Sequence, residues 1–99
     1  MNKCKLGLIG FGTVGKGVYK ILKSRKDNHP ILKEIEIVKI VVKDLLKKRD
    51  LIIDINLLID DPYLLINDPS IDVIVEVMGG LKLAKDIILK SLNAGKSVV

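Results

Sequence analysis

Two hydrophobic periods alternate along this chain. Leu6 to Ile9 is a short apolar run closed by glycine, the pattern of a strand buried on both faces, as in parallel sheets. From Gly12 onward the spacing lengthens. Val14, Val18, Ile21 and Leu22 fall on one side of a helix and Lys16, Lys20 and Lys23 on the other, which predicts a helix from about Thr13 packed on the sheet by that apolar stripe. Asp27, Asn28, His29 and Pro30 end it, and the β-branched run IEIVKIVV, Ile35 to Val42, predicts a second strand. The first unit is therefore βαβ with parallel strands.

The middle of the chain carries weaker signals. A short helix or turn is expected after Lys43, a short strand near Leu51 to Ile55, and a helix of one or two turns over Pro62 to Ile66. Asp60 or Asp61 is placed to cap that helix, with Pro62 in its first turn. Ile71 to Met78, IDVIVEVM, again reads as a strand, and Gly79 and Gly80 as a turn. Ala84, Ile87, Ile88 and Leu92 form a helical stripe that stops at Asn93, Ala94 and Gly95, and Ser97 to Val99 open another strand. This order predicts an α/β fold: a Rossmann-like, doubly wound parallel sheet with helices on both faces, truncated in its last strand. Residues 1–99 form one domain.

Composition narrows the function. Hydrophobic residues at 48% and charged residues at 29% belong to a globular chain rather than a disordered one. The formal charge of +5 leaves nucleic acid, acidic membrane and anionic small molecules as partners to weigh. The lysines are dispersed, and Phe11, Tyr19 and Tyr63 are the only aromatics on which bases could stack, so no nucleic-acid partner is expected. No stretch reaches the length of a membrane span, and glycines interrupt the apolar run behind Lys3 and Lys5, so neither a membrane nor a signal peptide is expected. Cys4, the single cysteine, reads as a small buried residue in a reducing compartment, and a cytoplasmic location follows. No His, Cys or carboxylate group has metal-ligand spacing, so no metal is expected.

An anionic ligand has an obvious place. Gly10, Gly12 and Gly15 in GFGTVG form G-x-G-x-x-G between the first strand and first helix, the context in which that motif binds a dinucleotide. Gly10 makes the tight turn, Gly12 lets a pyrophosphate approach the backbone, and Gly15 seats the helix on the sheet. Thr13 and Val14, at the positive end of the helix dipole, are expected to donate their N–H groups to phosphate oxygens. No G-x-x-x-x-G-K-[ST] occurs, which sets a P-loop aside.

The end of the second strand chooses between nicotinamide cofactors, since a carboxylate there accepts from the ribose 2′-OH of NAD and repels the 2′-phosphate of NADP. Here Lys43 is followed by Asp44, with Lys47, Lys48 and Arg49 close behind. Lys43 facing the ribose, assisted by Lys47 or Arg49, matches NADP; Asp44 turned inward matches NAD; solvated charge matches neither. NADP is favoured, with NAD as the alternative.

At this point the chain resembles homoserine dehydrogenase, along its whole length. GLIGFGTVGKGVYKIL, VVKDLLKKR, NDPSIDVIVEVMGG and ILKSLNAGKSVV carry the resemblance. It implies an NAD(P)-binding first domain of an enzyme that interconverts L-homoserine and L-aspartate 4-semialdehyde, toward threonine and methionine. It implies pyrophosphate contacts from Gly10, Phe11, Gly12, Thr13, Val14 and Gly15, and places Met78, Gly79 and Gly80 beside the nicotinamide half. Lys43 would stand where the family usually has an arginine for the 2′-phosphate, as a point charge without the bidentate fork. The family's catalytic aspartate and lysine belong to a later substrate domain with no counterpart here, so the chain reads as an excised cofactor domain, inactive alone. Its partners would be the dinucleotide and the missing substrate domain of the same chain, within a homo-oligomeric full-length protein.

No catalytic residue is assigned. Glu76, near a strand's C-terminal end, is better placed as a structural or ribose-contacting carboxylate than as a base, and His29 as an exposed loop residue. Two other readings are compatible with the motif: a non-catalytic dinucleotide-sensing regulatory module, and a different dehydrogenase or reductase with a similar first domain.

Overall fold

The computed structural model describes residues 4–24, 30, 34–45, 53, 55–77 and 81–99, with the side chains of 81–83 left outside the description. Among the described residues, five strands and three helices follow in the order β1 (Cys4–Ile9), α1 (Thr13–Ser24), β2 (Ile35–Val41), β3 (Leu58–Ile59), α2 (Pro62–Ile66), β4 (Val73–Glu76), α3 (Leu81–Asn93) and β5 (Ser97–Val98). All strand pairs are parallel, in the order β3-β2-β1-β4-β5. This is the doubly wound Rossmann-like sheet that the alternation of periods predicts.

Alternation along the central strands divides the core into two layers. Leu6 and Leu8 of β1, with Ile40 and Val42 at the end of β2, meet Phe11 and Tyr19 on the α1 side. Ile9, Val41 and Ile74 point the other way, to Leu65 and Ile66 of α2 and Ile87 of α3. Leu8, Ile9, Ile40, Ile74 and Ile87 are fully buried, and each contributes about 1.5–3 kcal/mol relative to exposure. A register shift between Leu6 and Gly7 gives β2 one extra residue against β1.

The short α2 forms where its cap predicts. Asp61 is the cap, its side chain accepting from the Tyr63 N–H at 2.9 Å, and Pro62 occupies the first turn. At the far end of α3, Gly95 takes a φ of 81° and the Lys96 N–H reaches the Ser91 carbonyl at 3.0 Å, a glycine-closed helix end as expected from the sequence.

Four expectations change. The third strand is Leu58–Ile59, preceded by a 3-10 turn over Ile55–Leu57, so the predicted strand near Leu51 to Ile55 is wrong at Ile53 and Ile55; residues 51, 52 and 54 lie outside the described residues. Two residues suffice for this strand because it closes the sheet edge rather than spanning the core. On α1, Gly15 and Tyr19 are the buried positions, Val18 and Leu22 are half-buried, and Val14 and Ile21 are exposed. The close seating of Gly15 rotates the helix away from the predicted stripe. On α3, Ser91 replaces Leu92 as a buried position, and Leu92 faces out. Cys4, at the start of β1, is a half-buried free thiol rather than a core residue. Among the described residues, no helix is long and apolar enough to cross a membrane.

Candidate dinucleotide-binding site

The turn after β1 is held from both sides. Gly10, at a φ of 105°, donates its N–H to the Val41 carbonyl of β2 at 2.9 Å. Across the other edge the Val77 N–H reaches the Ile9 carbonyl at 2.9 Å. A φ of that sign is strained for any residue with a Cβ, so the turn requires glycine. It lies where the strand order reverses, between β1 and β4, the crevice in which open α/β sheets bind ligands.

Gly15 and Gly12 serve opposite purposes. A Cβ on Gly15 would run into the Gly10 carbonyl, coming within 3.1 Å of its carbon and closer to its oxygen, with Val77 Cγ2 at 3.5 Å. Backbone cannot yield as a flexible side chain does, so α1 sits on the turn only because residue 15 is glycine. A Cβ on Gly12 would meet nothing within 4 Å, and the residue is exposed. The fold itself does not require glycine there. The open space beside it leaves the main chain accessible, as the motif expects for a pyrophosphate.

The start of α1 is electrostatically open. Lys16 is the first residue whose N–H finds a helical acceptor, the Gly12 carbonyl at 2.9 Å, which leaves the N–H groups of Thr13, Val14 and Gly15 without an intrahelical acceptor. No acidic side chain occupies the first turn. Val14, at 61% exposure, lies beside these donors instead of in the core. The dipole and donors without an intrahelical acceptor together favour an anion.

Phe11 contributes its main chain to this turn. Its ring is buried against Tyr19, edge to face with centroids 5.7 Å apart and planes at 79°, so it anchors the turn to α1.

Past β2, Val42 is buried while Lys43 and Asp44 are both exposed. Both stand at the same C-terminal sheet edge as Gly10, so the geometry brings both cofactor-discriminating candidates to the site. Lys47, Lys48 and Arg49 lie outside the described residues, as do His29, Met78, Gly79 and Gly80. Glu76, the last residue of β4, pairs with Ile9 directly below the turn and is half-buried. One neighbour was hidden by the misplaced third strand. With β3 at Leu58–Ile59, Asp60 emerges at this same edge, whereas the sequence offered it only as an alternative cap.

Comparison with known proteins agrees with this geometry. Residues 10–99 match the family described as homoserine dehydrogenase, NAD binding domain. A homoserine dehydrogenase of Bacillus subtilis is 39% identical over 101 aligned positions, covering all of this chain and 23% of the relative. One from Corynebacterium glutamicum is 38% identical over 96 positions, covering 95% of this chain and 21% of the relative. The crystal structure of Staphylococcus aureus homoserine dehydrogenase at pH 6.0 superposes with a TM-score of 0.89 at 39% identity, over 99% of this chain and 26% of that one. That from Thiobacillus denitrificans gives 0.80 at 31% identity, over 98% and 23%. The chain thus spans about a quarter of the length of these relatives. A nicotinamide dinucleotide is the ligand class this domain takes, and the sensing-module alternative is not favoured. The match across residues 10–99 shows that this chain belongs to the homoserine dehydrogenase family, as its NAD-binding domain.

Proposed function

We propose that this chain is the cofactor domain, over residues 1–99, of an enzyme that interconverts L-homoserine and L-aspartate 4-semialdehyde, with NADP(H) preferred to NAD(H). The observation that carries the reading is the open start of α1: the N–H groups of Thr13, Val14 and Gly15 lack intrahelical acceptors beside a Gly12 whose missing side chain leaves clear space. Gly10 to Gly15 would hold the pyrophosphate. Lys43 would neutralise the 2′-phosphate, assisted by Lys47 or Arg49, while Asp44 would instead serve a 2′-hydroxyl. Met78, Gly79 and Gly80 would lie beside the nicotinamide.

When bound, the cofactor supplies the carbon that accepts or returns the hydride. The chain's own part is to bind and orient it. Oxidation of an alcohol also requires a base within hydrogen-bond reach of the hydroxyl proton. We assign no such base among these residues, and the substrate domain that family resemblance implies would provide it. That division is the reason to expect no turnover from the 99-residue chain, and the whole protein would work in the cytoplasm as a homo-oligomer.

The test is a calorimetric titration of the chain with NADPH and, separately, NADH. Tighter binding of NADPH, with a margin that shrinks as salt rises, is the expected result. Tighter binding of NADH would transfer the ribose to Asp44. A folded chain that binds neither would overturn the dinucleotide assignment, and homoserine turnover by this chain alone would overturn the division of labour.

A further inference from the structure

The short β3 brings a carboxylate to the cofactor-discriminating edge. In the parallel ladder between β2 and β3, Ile40 pairs with Leu58 and Val41 with Ile59. The Val42 N–H donates to the Ile59 carbonyl at 2.8 Å, the bond that closes the Val41–Ile59 pair, and Asp60 is the residue that leaves β3 directly after it. Lys43 is the next residue along, and both Lys43 and Asp60 are exposed. The adjacent Asp61 is already committed to the Tyr63 N–H as the cap of α2. Asp60 therefore stands at the sheet edge as a carboxylate that the helix cap does not use.

Neighbouring strands lie about 4.8 Å apart, so the segments that leave β2 and β3, carrying Lys43 and Asp60, start side by side at this edge. At that spacing, an anion held by Lys43 would feel the Asp60 carboxylate across about one screening length. A 2′-phosphate carries negative charge into that field, and a 2′-hydroxyl carries none.

We infer that Asp60 is a specificity-determining residue of the adenosine ribose subsite, opposing a 2′-phosphate and so narrowing the NADP preference that Lys43 creates. This rests on the dinucleotide reading above. Charge removal at that range is expected to change affinity for a doubly charged group about two- to fivefold.

The experiment measures NADPH and NADH affinities of the chain and of Asp60→Asn, Asp60→Lys and Asp60→Glu, with far-UV circular dichroism confirming the fold of each. Asp60→Asn is expected to tighten NADPH about two- to fivefold and Asp60→Lys about tenfold, both gains shrinking in high salt, with NADH essentially unchanged. Asp60→Glu retains the charge and is expected to keep the original ratio. If the unaltered chain binds both dinucleotides and the ratio does not move in Asp60→Asn and Asp60→Lys, the role of Asp60 is overturned while the site assignment stands. Equal changes for both cofactors likewise overturn it, since they report a structural effect. If the unaltered, folded chain binds neither, the dinucleotide reading fails and Asp60 with it.

Discussion

The two ends of the sheet are built on opposite principles. At the C-terminal edge, the N–H groups of Thr13, Val14 and Gly15 have no intrahelical acceptor and the space beside Gly12 is open. At the N-terminal edge, where β1, β4 and β5 begin, polar groups are tied together. The buried Lys96 donates from Nζ to the carbonyls of Asp68, at 2.6 Å, and Ile71, at 2.7 Å. Asp72 accepts from the Lys5 N–H at 2.9 Å through Oδ2, and its own N–H returns to the Lys5 carbonyl at 2.8 Å. Ser70 donates twice to Asp68 Oδ1, from its N–H at 2.9 Å and its hydroxyl at 2.7 Å, and these bonds hold the Asp68 carboxyl below its usual pKa. One edge is cross-linked by side chains, and at the other the first turn of α1 has no intrahelical acceptors for its N–H groups.

If this contrast is right, mutations at the two edges separate binding from stability. Gly12→Val is expected to weaken dinucleotide binding about 100-fold or more, because the new methyl groups occupy the space a pyrophosphate needs. Since a Cβ there meets no protein atom, thermal unfolding should move little. Calorimetry and a melting curve on the same sample check both halves, and retained binding would remove the pyrophosphate from this turn. Lys96→Met is the mirror image. Leaving one buried and one half-buried carbonyl without a charged donor is expected to cost about 2–4 kcal/mol in urea unfolding, with cofactor affinity of the folded fraction unchanged. Equal loss of binding would show that the two edges are not independent.

Smaller effects sharpen the picture. Lys43→Glu is expected to weaken NADPH about tenfold and NADH much less, and equal losses would make Lys43 a mere surface charge. The smallest effect lies away from both edges, on the α2–α3 seam. There the Tyr63 hydroxyl donates to Asp86 Oδ2 at 2.6 Å, and Lys90 sits 3.4 Å from the same oxygen and 4.6 Å from the Tyr63 ring centroid. The hydrogen bond with Asp86 raises the Tyr63 pKa, and the same bond lowers that of Asp86. A lowered carboxylate pKa contributes stability above its unfolded value and loses it as pH falls through the folded one; a raised tyrosine pKa contributes below its unfolded value and loses it as pH rises through the folded one. Tyr63→Phe should therefore destabilise slightly near neutrality, with the difference from the parent fading in acid as Asp86 protonates and again in strong alkali. Melting curves across pH follow it; a constant difference would assign the loss to packing.

Local signals carried much of the site. GFGTVG, Asp61 with Pro62, and Gly95 each encode a backbone event through their own chemistry, and each occurs where the sequence places it. Helix faces were less legible. Val14, Ile21 and Leu92 have the spacing of a core stripe, yet they are exposed, while Tyr19 and Ser91 are buried. Periodicity ranks positions around a helix, but the seating of α1 depends on Gly15 meeting Gly10, a contact between elements. Asp60 was obscured for a related reason: a two-residue strand has too few positions to show a period, and its identity comes from pairing with β2.

By itself, then, the sequence determined the alternation of strands and helices, the glycine turn that opens a helix toward an anion, and the caps that end helices, because these depend on neighbours a few residues apart. Only the tertiary structure decided the strand order β3-β2-β1-β4-β5, the gathering of Lys43, Asp44 and Asp60 at one edge, and the burial of Lys96 beneath the other. These depend on hydrogen bonds and packing between segments distant in the chain, which no local pattern records.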